Sequence, residues 1–157
     1  MASEKLKEYL NKKQVRYISF GHRPAYTAQE IAAAVHAPGR DVVKTVMVKL
    51  DGQMAMAALP ASYQINFGLL RKASGAASAK LAGEAEFKDM FPDCEIGALP
   101  PFGNLYGFDV FAAKTLTEGE EIAFSAGSHT ELINMAYRDY EKLVMPKTAG
   151  FEVKLNC

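Results

Sequence analysis

Lys44 is the first residue of this sequence whose position indicates chemistry. It lies in the segment Val42 to Leu50, which is rich in β-branched residues and predicts a strand. Since side chains alternate between the two faces of a strand, Lys44 would share a face with Val46 and Val48. An ammonium on an apolar face either reaches solvent through its flexible stem or lines a cavity. At the mouth of a pocket, it would bind a carbonyl or phosphate oxygen and stabilise developing negative charge.

A second segment, Gly97 to Gly103, combines two adjacent prolines with a glycine at each end. Prolines stiffen the backbone, and glycines allow dihedral angles that other residues resist. Such a segment is either an ordinary connection between elements or a loop that holds amides and carbonyls in fixed positions around a ligand.

A third segment, Gly127 to Thr130, lies between two predicted strands. It is either a β-turn with an exposed imidazole or a turn that presents backbone N–H groups and one imidazole to a site. Ser128 and His129 are adjacent, so in an extended segment they would point to opposite faces. This argues against a nucleophile–base pair made of these two residues.

Several classes of chemistry are excluded by the motifs that the sequence lacks. It has no glycine-rich motif for phosphates or dinucleotides and no nucleophile elbow. The histidines, His22, His36 and His129, are scattered without the spacing of metal ligands. Cys94 lies between two acidic residues, which disfavours a thiolate. We therefore expect neither a metal nor another cofactor.

Length and composition predict one domain that spans residues 1–157. Of the 157 residues, 49% are hydrophobic, which is enough to form a core without disulfides or metals. The two cysteines fit a reducing compartment, and the charged N-terminal segment does not resemble a signal peptide. A cytoplasmic location is therefore expected. Because 18 basic residues balance 18 acidic ones, any surface that binds nucleic acid must be local.

Hydrophobic periodicity and turn residues predict an α+β fold, a mixed, barrel-like β-sheet surrounded by helices. A first helix is predicted after the cap Ser3, with Leu6, Tyr9 and Leu10 on its inner face. A second predicted helix starts at Thr27 and ends at Pro38. The other predicted helices are Asn66–Lys72, Glu84–Phe91 and Ala136–Leu143. The predicted strands are Val15–Phe20, Val42–Leu50 and Gln53–Leu59 joined by a type I′ turn at Asp51-Gly52, Asn104–Ala113, Glu120–Ser125, Glu131–Met135 and an edge strand at Phe151–Leu155.

The three segments, taken in this order, resemble the YbaK and prolyl-tRNA synthetase insertion-domain family of aminoacyl-tRNA deacylases. Two stretches nearer the N-terminus, Gly21 to Glu30 and Pro38 to Val46, also look like that family. The resemblance runs from about His22 to Leu143, which is most of the chain. It implies a mixed, barrel-like sheet with surrounding helices, in agreement with the pattern of elements.

The resemblance also implies an activity and a site. Members hydrolyse, without a metal, the ester that joins a wrong amino acid to the 3′ end of a tRNA. Lys44 stands where the family has its essential lysine, Gly97 to Pro101 match its GxxxP loop, and Gly127 to His129 match its glycine-plus-histidine element. The expected catalytic residues are thus Lys44, Gly97 and His129. The expected substrate-binding residues are Tyr26, Thr27, Ile31, Thr45, Pro101, Phe102, Gly127 and Ser128.

The expected function is deacylation of mischarged tRNA that carries a small amino acid, by a free-standing trans-editing domain. Its partners would be the tRNA acceptor end and an aminoacyl-tRNA synthetase, and we expect a monomer. Candidate tRNA contacts are Arg16, Arg23, Arg40, Lys44, Arg71, Lys72 and Lys80. The alternatives are a non-catalytic module that binds a small amino acid, a nucleotide or a protein, a hydrolase with Ser128 or Cys94 as nucleophile, and a structural interaction protein. Two questions stay open: which amino acid is removed, and whether His129 abstracts a proton or shapes the pocket.

Overall fold

The computed structural model describes residues 4–21 and 42–154. The predicted cap Ser3 and the helix predicted between Thr27 and Pro38 lie outside the described residues. So do three expected substrate-binding residues, Tyr26, Thr27 and Ile31.

Within the described ranges, eight strands form one curled, mixed sheet. Its path runs β1-β8-β7-β2-β3-β6-β9, and β5 pairs with β2 beside this path. A separate pair, β4 and β10, forms a small second sheet. The strands are β1 Tyr17–Gly21, β2 Val42–Leu50, β3 Gln53–Pro60, β4 Tyr63–Ile65, β5 Ala79–Leu81, β6 Val110–Ala113, β7 Glu121–Ser128, β8 Glu131–Ala136, β9 Lys147–Ala149 and β10 Glu152–Lys154.

Four α-helices pack with the sheet in the described part of the chain, which confirms the predicted α+β class with a barrel-like sheet. They are α1 Glu4–Lys12, α2 Phe67–Ser74, α3 Glu84–Phe87 and α4 Tyr137–Val144. The start of α2 follows from Asn66, whose side chain accepts a hydrogen bond of 3.0 Å from the amide of Leu69. None of the described helices is long and apolar enough to cross a membrane.

The hairpin of β2 and β3 forms as the sequence predicts. Asp51 and Gly52 adopt φ values of 52° and 82°, as a type I′ turn requires. The turn sets a register in which Lys44 lies opposite Leu59 and Thr45 lies opposite Ala58. Lys44 and Thr45 therefore lie on opposite faces of the sheet.

The strand predicted over Asn104–Ala113 is wrong in its first half. Gly103–Leu105 is a 3₁₀ turn, and β6 begins only at Val110. The Gly103 carbonyl accepts hydrogen bonds of 2.9 Å from the amides of both Tyr106 and Phe108. These local hydrogen bonds hold the backbone in a compact loop, and its groups are therefore not available for pairing with another strand.

Other predicted boundaries also shift. The helix predicted over Glu84–Phe91 ends at Phe87, where φ reaches −124°, and the 3₁₀ turn Lys88–Met90 follows. The strand predicted to end at Ser125 continues to Ser128. Three strands of three residues each, β4, β5 and β9, are too short to give a periodic signal and were missed.

One face of the sheet is covered by α1 and α4. Leu6 and Leu10 of α1 and Tyr140 of α4 are fully buried. Phe102 lies among these helices, with its ring centroid 5.5 Å from that of Phe124 and 5.3 Å from that of Tyr140. The proline-containing segment is thus anchored in the core at its C-terminal end.

Candidate functional site

The sheet opens between β2 and β7, directly beside Lys44. Within residues 4–21 and 42–154, the two strands pair in parallel only at Val42–Ala123 and Val43–Phe124. Further along the same strand, β2 pairs instead with β5, from Val48 to Leu50. The opening between these two ladders is bounded by residues 44–46 of β2 and is called the fork below.

A β-bulge interrupts the pairing of β7 with β8 near the fork. Ser125 pairs with Leu132 and Ser128 pairs with Glu131, so two residues of β7 bulge out between these pairs. One of them is Gly127, whose φ of 93° belongs to the region that favours glycine. The bulge frees the backbone of Gly127 from the sheet.

The segment that precedes the two prolines binds the freed backbone of Gly127. The amide of Gly127 donates to the carbonyl of Ala98 at 2.9 Å, and the amide of Glu95 donates to the carbonyl of Gly127 at 2.8 Å. The Gly97 loop thus lies along β7 only three residues after the last pair that β7 makes with β2. Lys44 follows Val43, which belongs to that last pair, so Lys44 is level with Ser125 of β7. Gly127 lies two residues further along β7, which is about 7 Å of extended chain. The Gly97 loop and the Gly127–His129 turn are therefore joined to each other on β7, the strand that pairs with β2 next to Lys44.

Lys44 is half-buried on β2, opposite the fully buried Leu59. Burial lowers the pKa of Lys44 from the ordinary value of 10.5 because it penalises the charged form. An oxygen that carries negative charge would offset this penalty. A ligand that develops negative charge beside Lys44 would therefore be favoured.

His129 is held against the Gly97 loop by its ring and by its backbone. Its Nε2 atom lies 2.9 Å from the carbonyl oxygen of Ile96, and its amide donates to Oε1 of Glu95 at 3.2 Å. A carbonyl oxygen only accepts, so Nε2 carries the hydrogen, and Nδ1 is the acceptor of the neutral ring. A Cβ on Gly97 would lie 3.2 Å from Cε1 of His129, so glycine allows this close packing.

Pro101 and Phe102 form the buried end of the loop. The hydroxyl of Tyr140 donates a hydrogen bond of 2.7 Å to the carbonyl of Pro101. Burial raises the pKa of Tyr140 well above 10.0, so this hydroxyl remains a donor. The structure places Phe102 in the core, with no exposed surface. A direct contact of Pro101 or Phe102 with substrate stays a prediction.

Two other predicted residues also contribute polar groups near the fork. Ser128 is 1% exposed, its hydroxyl lies 2.9 Å from that of Thr130, and it accepts from the Thr130 amide at 3.2 Å. These contacts stabilise the turn and do not favour Ser128 as a nucleophile. The buried hydroxyl of Thr45 has no hydrogen-bond partner in the ranges that the structure describes. Its contact with substrate stays a prediction.

Cys94 does not have the surroundings of a nucleophile. Its half-buried sulfur lies 3.5 Å from the hydroxyl of Tyr106, which in turn donates to Asp93 at 2.9 Å. A neighbouring carboxylate disfavours a thiolate. Among residues 4–21 and 42–154, no group of three or more histidine, cysteine or acidic side chains is close enough to hold a metal ion.

Sequence reasoning missed two residues that shape the site. Glu95 contacts the turn at Ser128 and His129, and Tyr140 fixes the carbonyl of Pro101. Glu95 lies two residues before Gly97, where the matched loop begins, so its position was a usable signal. Tyr140 lies 39 residues beyond Pro101, and no local pattern relates the two.

Solved structures share this fold. A hypothetical protein is 18% identical, with a TM-score of 0.87, and the alignment covers 96% of this chain and all of that one. A candidate trans-editing enzyme for prolyl tRNA synthetase is 16% identical, with a TM-score of 0.81 and coverage of 98% and 97%. A candidate signal transduction protein from Marinobacter aquaeolei is 14% identical, with a TM-score of 0.74, and this chain covers 30% of it.

The family match includes all three segments singled out in the sequence. No curated protein matches the sequence. Residues 22–143 match the family model of the aminoacyl-tRNA editing domain. This range is most of the chain, and it agrees with the resemblance seen in the sequence. The chain therefore belongs to the aminoacyl-tRNA editing domain family.

Proposed function

We propose that this protein hydrolyses the ester of mischarged tRNA that carries a small amino acid, in trans-editing. The observation that supports it best is the hydrogen-bonded attachment of the Gly97 loop to the Gly127–His129 turn, on the strand that pairs with β2 next to Lys44. Family membership supports the role in tRNA editing. The structure of a candidate trans-editing enzyme with the same fold agrees with it.

The reaction demands little chemical power because an aminoacyl ester is already activated. Water adds to the ester carbonyl, the bond to the ribose oxygen breaks, and the products are the free amino acid and the tRNA 3′ end. The protein has to hold the carbonyl, place the water and stabilise the oxyanion. Lys44 supplies the positive charge, and its lowered pKa reflects a partly desolvated position in which that charge acts strongly.

The two loops position the substrate beside Lys44. Their backbones are joined through Gly127 to Ala98 and Glu95, so that their amides and carbonyls move as one unit. His129 presents Nδ1 as an acceptor when its ring is neutral, because Ile96 occupies Nε2–H. His129 shapes the amino-acid pocket, and the neighbouring ribose hydroxyl of the substrate helps to activate the water.

Selection of the amino acid follows from size. One methylene changes binding in an apolar pocket by only about 1–3 kcal/mol, so sharp selection needs walls that do not yield. The Gly97 loop is such a wall, since buried Tyr140 and Phe102 anchor it in the core. A small pocket would admit alanine or serine and exclude larger side chains.

The tRNA would bind through its acceptor end, with phosphate contacts from exposed cations. Four of the predicted tRNA contacts are exposed in the described ranges, namely Arg16, Arg71, Lys72 and Lys80. Lys80 lies on β5, the strand that flanks the fork. Affinity should be modest and should fall with salt. We further propose a monomer that works in the cytoplasm, with a synthetase as the source of its substrate.

A deacylation panel tests this function. Wild type, Lys44→Ala and the control Lys114→Ala, at an exposed lysine that is not among the candidate tRNA contacts, are incubated with tRNA that carries alanine, serine, threonine, cysteine or proline, with EDTA present. We expect rapid loss of one small amino acid with wild type and the control. With Lys44→Ala the rate should fall about 100-fold or more. If no substrate is hydrolysed by wild type but one is bound, the fold serves as a binding module and the hydrolase proposal fails.

A further inference from the structure

We propose that Glu95 is a positioning residue that locks the Gly97 loop to the Gly127–His129 turn in the arrangement that hydrolysis needs. The proposal rests on the function proposed above. It assigns Glu95 a positioning role because its carboxylate contacts the turn, at the His129 amide and the Ser128 side chain.

Glu95 contacts three consecutive residues of the turn. Its amide donates to the carbonyl of Gly127 at 2.8 Å, and its Oε1 accepts from the amide of His129 at 3.2 Å. Its carboxylate also hydrogen-bonds with the side chain of Ser128. One residue thus joins the start of one loop to the whole of the other.

The electrostatics of Glu95 agree with a lock that is closed at neutral pH. Partial desolvation raises its pKa, but hydrogen bonds from Ser128 and the His129 amide outweigh this effect. The pKa of Glu95 therefore lies below 4.5. The carboxylate is ionised whenever the enzyme works, and hydrogen bonds to an ionised acceptor are stronger than neutral ones.

The lock matters because its two loops carry the parts of the site that must stay in register. Gly97 packs against the ring of His129, and Ile96 orients that ring through its carbonyl. Ala98 and Pro101 fix the other end of the loop, through Gly127 and Tyr140. Glu95 supplies the anchor on the N-terminal side. Without it, Gly97 and His129 would vary in separation, and small displacements at a site lower the rate steeply.

The variants Glu95→Ala and Glu95→Gln separate this role from a merely structural one. Glutamine keeps an oxygen that accepts from the His129 amide, whereas alanine does not. Glu8→Ala, an exposed glutamate on α1, is the control. For the best substrate of the panel we expect Glu95→Ala to lower kcat about tenfold or more, with KM within about twofold. Glu95→Gln should restore kcat to within about threefold of wild type. The control should match wild type.

A second measurement reports on the lock without activity. Amide hydrogen exchange at His129 should be about tenfold faster or more in Glu95→Ala than in wild type, with no comparable change in β2 or β3. An unchanged exchange rate, an unchanged kcat, or a loss in Glu95→Gln as large as in Glu95→Ala would overturn the proposal. If wild type hydrolyses no substrate, the proposed function fails, and the exchange rate alone decides whether Glu95 forms the lock.

Discussion

The Nε2 atom of His129 lies 2.9 Å from the carbonyl oxygen of Ile96, the residue that precedes Gly97. This contact sets the orientation of the imidazole and assigns the hydrogen of a neutral ring to Nε2. It also joins two segments that are 33 residues apart in the sequence. The imidazole therefore acts as part of the Gly97 loop, and changes in that loop should be felt at His129.

Gly97→Ala should displace the His129 ring. The φ of Gly97 is 90°, and a Cβ would lie 3.2 Å from Cε1 of His129, so both backbone strain and crowding oppose alanine. We expect a loss of about 1–3 kcal/mol in the free energy of unfolding, measured with urea. Deacylation should fall further than stability explains at temperatures where the variant is folded. Gly150→Ala is the control, since a Cβ there meets nothing within 4 Å, and an equal loss in both would contradict this account.

Lys44→Met should abolish deacylation without lowering stability. Because burial lowers the pKa of Lys44, the unfolded chain holds this proton more tightly than the folded chain. The stability of wild type should therefore rise as the pH increases through the interval below 10.5. Methionine lacks both the charge and this pH dependence. We expect a melting temperature at pH 7 at least equal to that of wild type, and a clear decrease would show that the ammonium stabilises the fold.

Tyr140→Phe should loosen the buried end of the Gly97 loop. The substitution removes the donor to Pro101 and leaves that carbonyl unsatisfied in the core. We expect a loss of about 1–3 kcal/mol in the free energy of unfolding. Tyr17→Phe is the matched control, because the Tyr17 hydroxyl bonds to Asn11 at an exposed position. The control should lose less than about 0.5 kcal/mol. Equal effects would mean that the Tyr140 hydroxyl does not hold the loop.

Acid should weaken the attachment of α1 to β8. Desolvation raises the pKa of Glu131, but hydrogen bonds from Lys7 and Ser19 outweigh it, so the pKa lies below 4.5. The ionised Glu131 therefore stabilises the folded state at pH values above 4.5, its ordinary pKa. This stabilisation is lost as the pH falls through the lower pKa that Glu131 has in the folded protein. Glu131→Gln should therefore show a smaller decrease in melting temperature between pH 7 and pH 3 than wild type. Glu121→Gln, on the adjacent strand, should keep the wild-type decrease.

Local chemistry made much of this protein predictable from its sequence. The Asp51-Gly52 turn defines a hairpin because both residues tolerate positive φ, and the hairpin fixes the register of Lys44. Asn66 starts α2 because its side chain caps the Leu69 amide. The alternating and helical spacing of hydrophobic residues was sufficient to predict the α+β fold class. The order of three short motifs was sufficient for the family.

Only the tertiary structure decided how these parts form a site. The bulge in β7, the short strand β5 and the hydrogen bonds of Gly127 create the fork, and each depends on residues distant in sequence. The Asn104–Ala113 strand failed for the same reason, since bonds to Gly103 outweighed the strand pattern there. The sequence by itself was sufficient to name the candidate site residues. The attachment of the Gly97 loop to the Gly127–His129 turn, on the strand next to β2, was decided by long-range backbone hydrogen bonds, which leave no periodic trace in the chain.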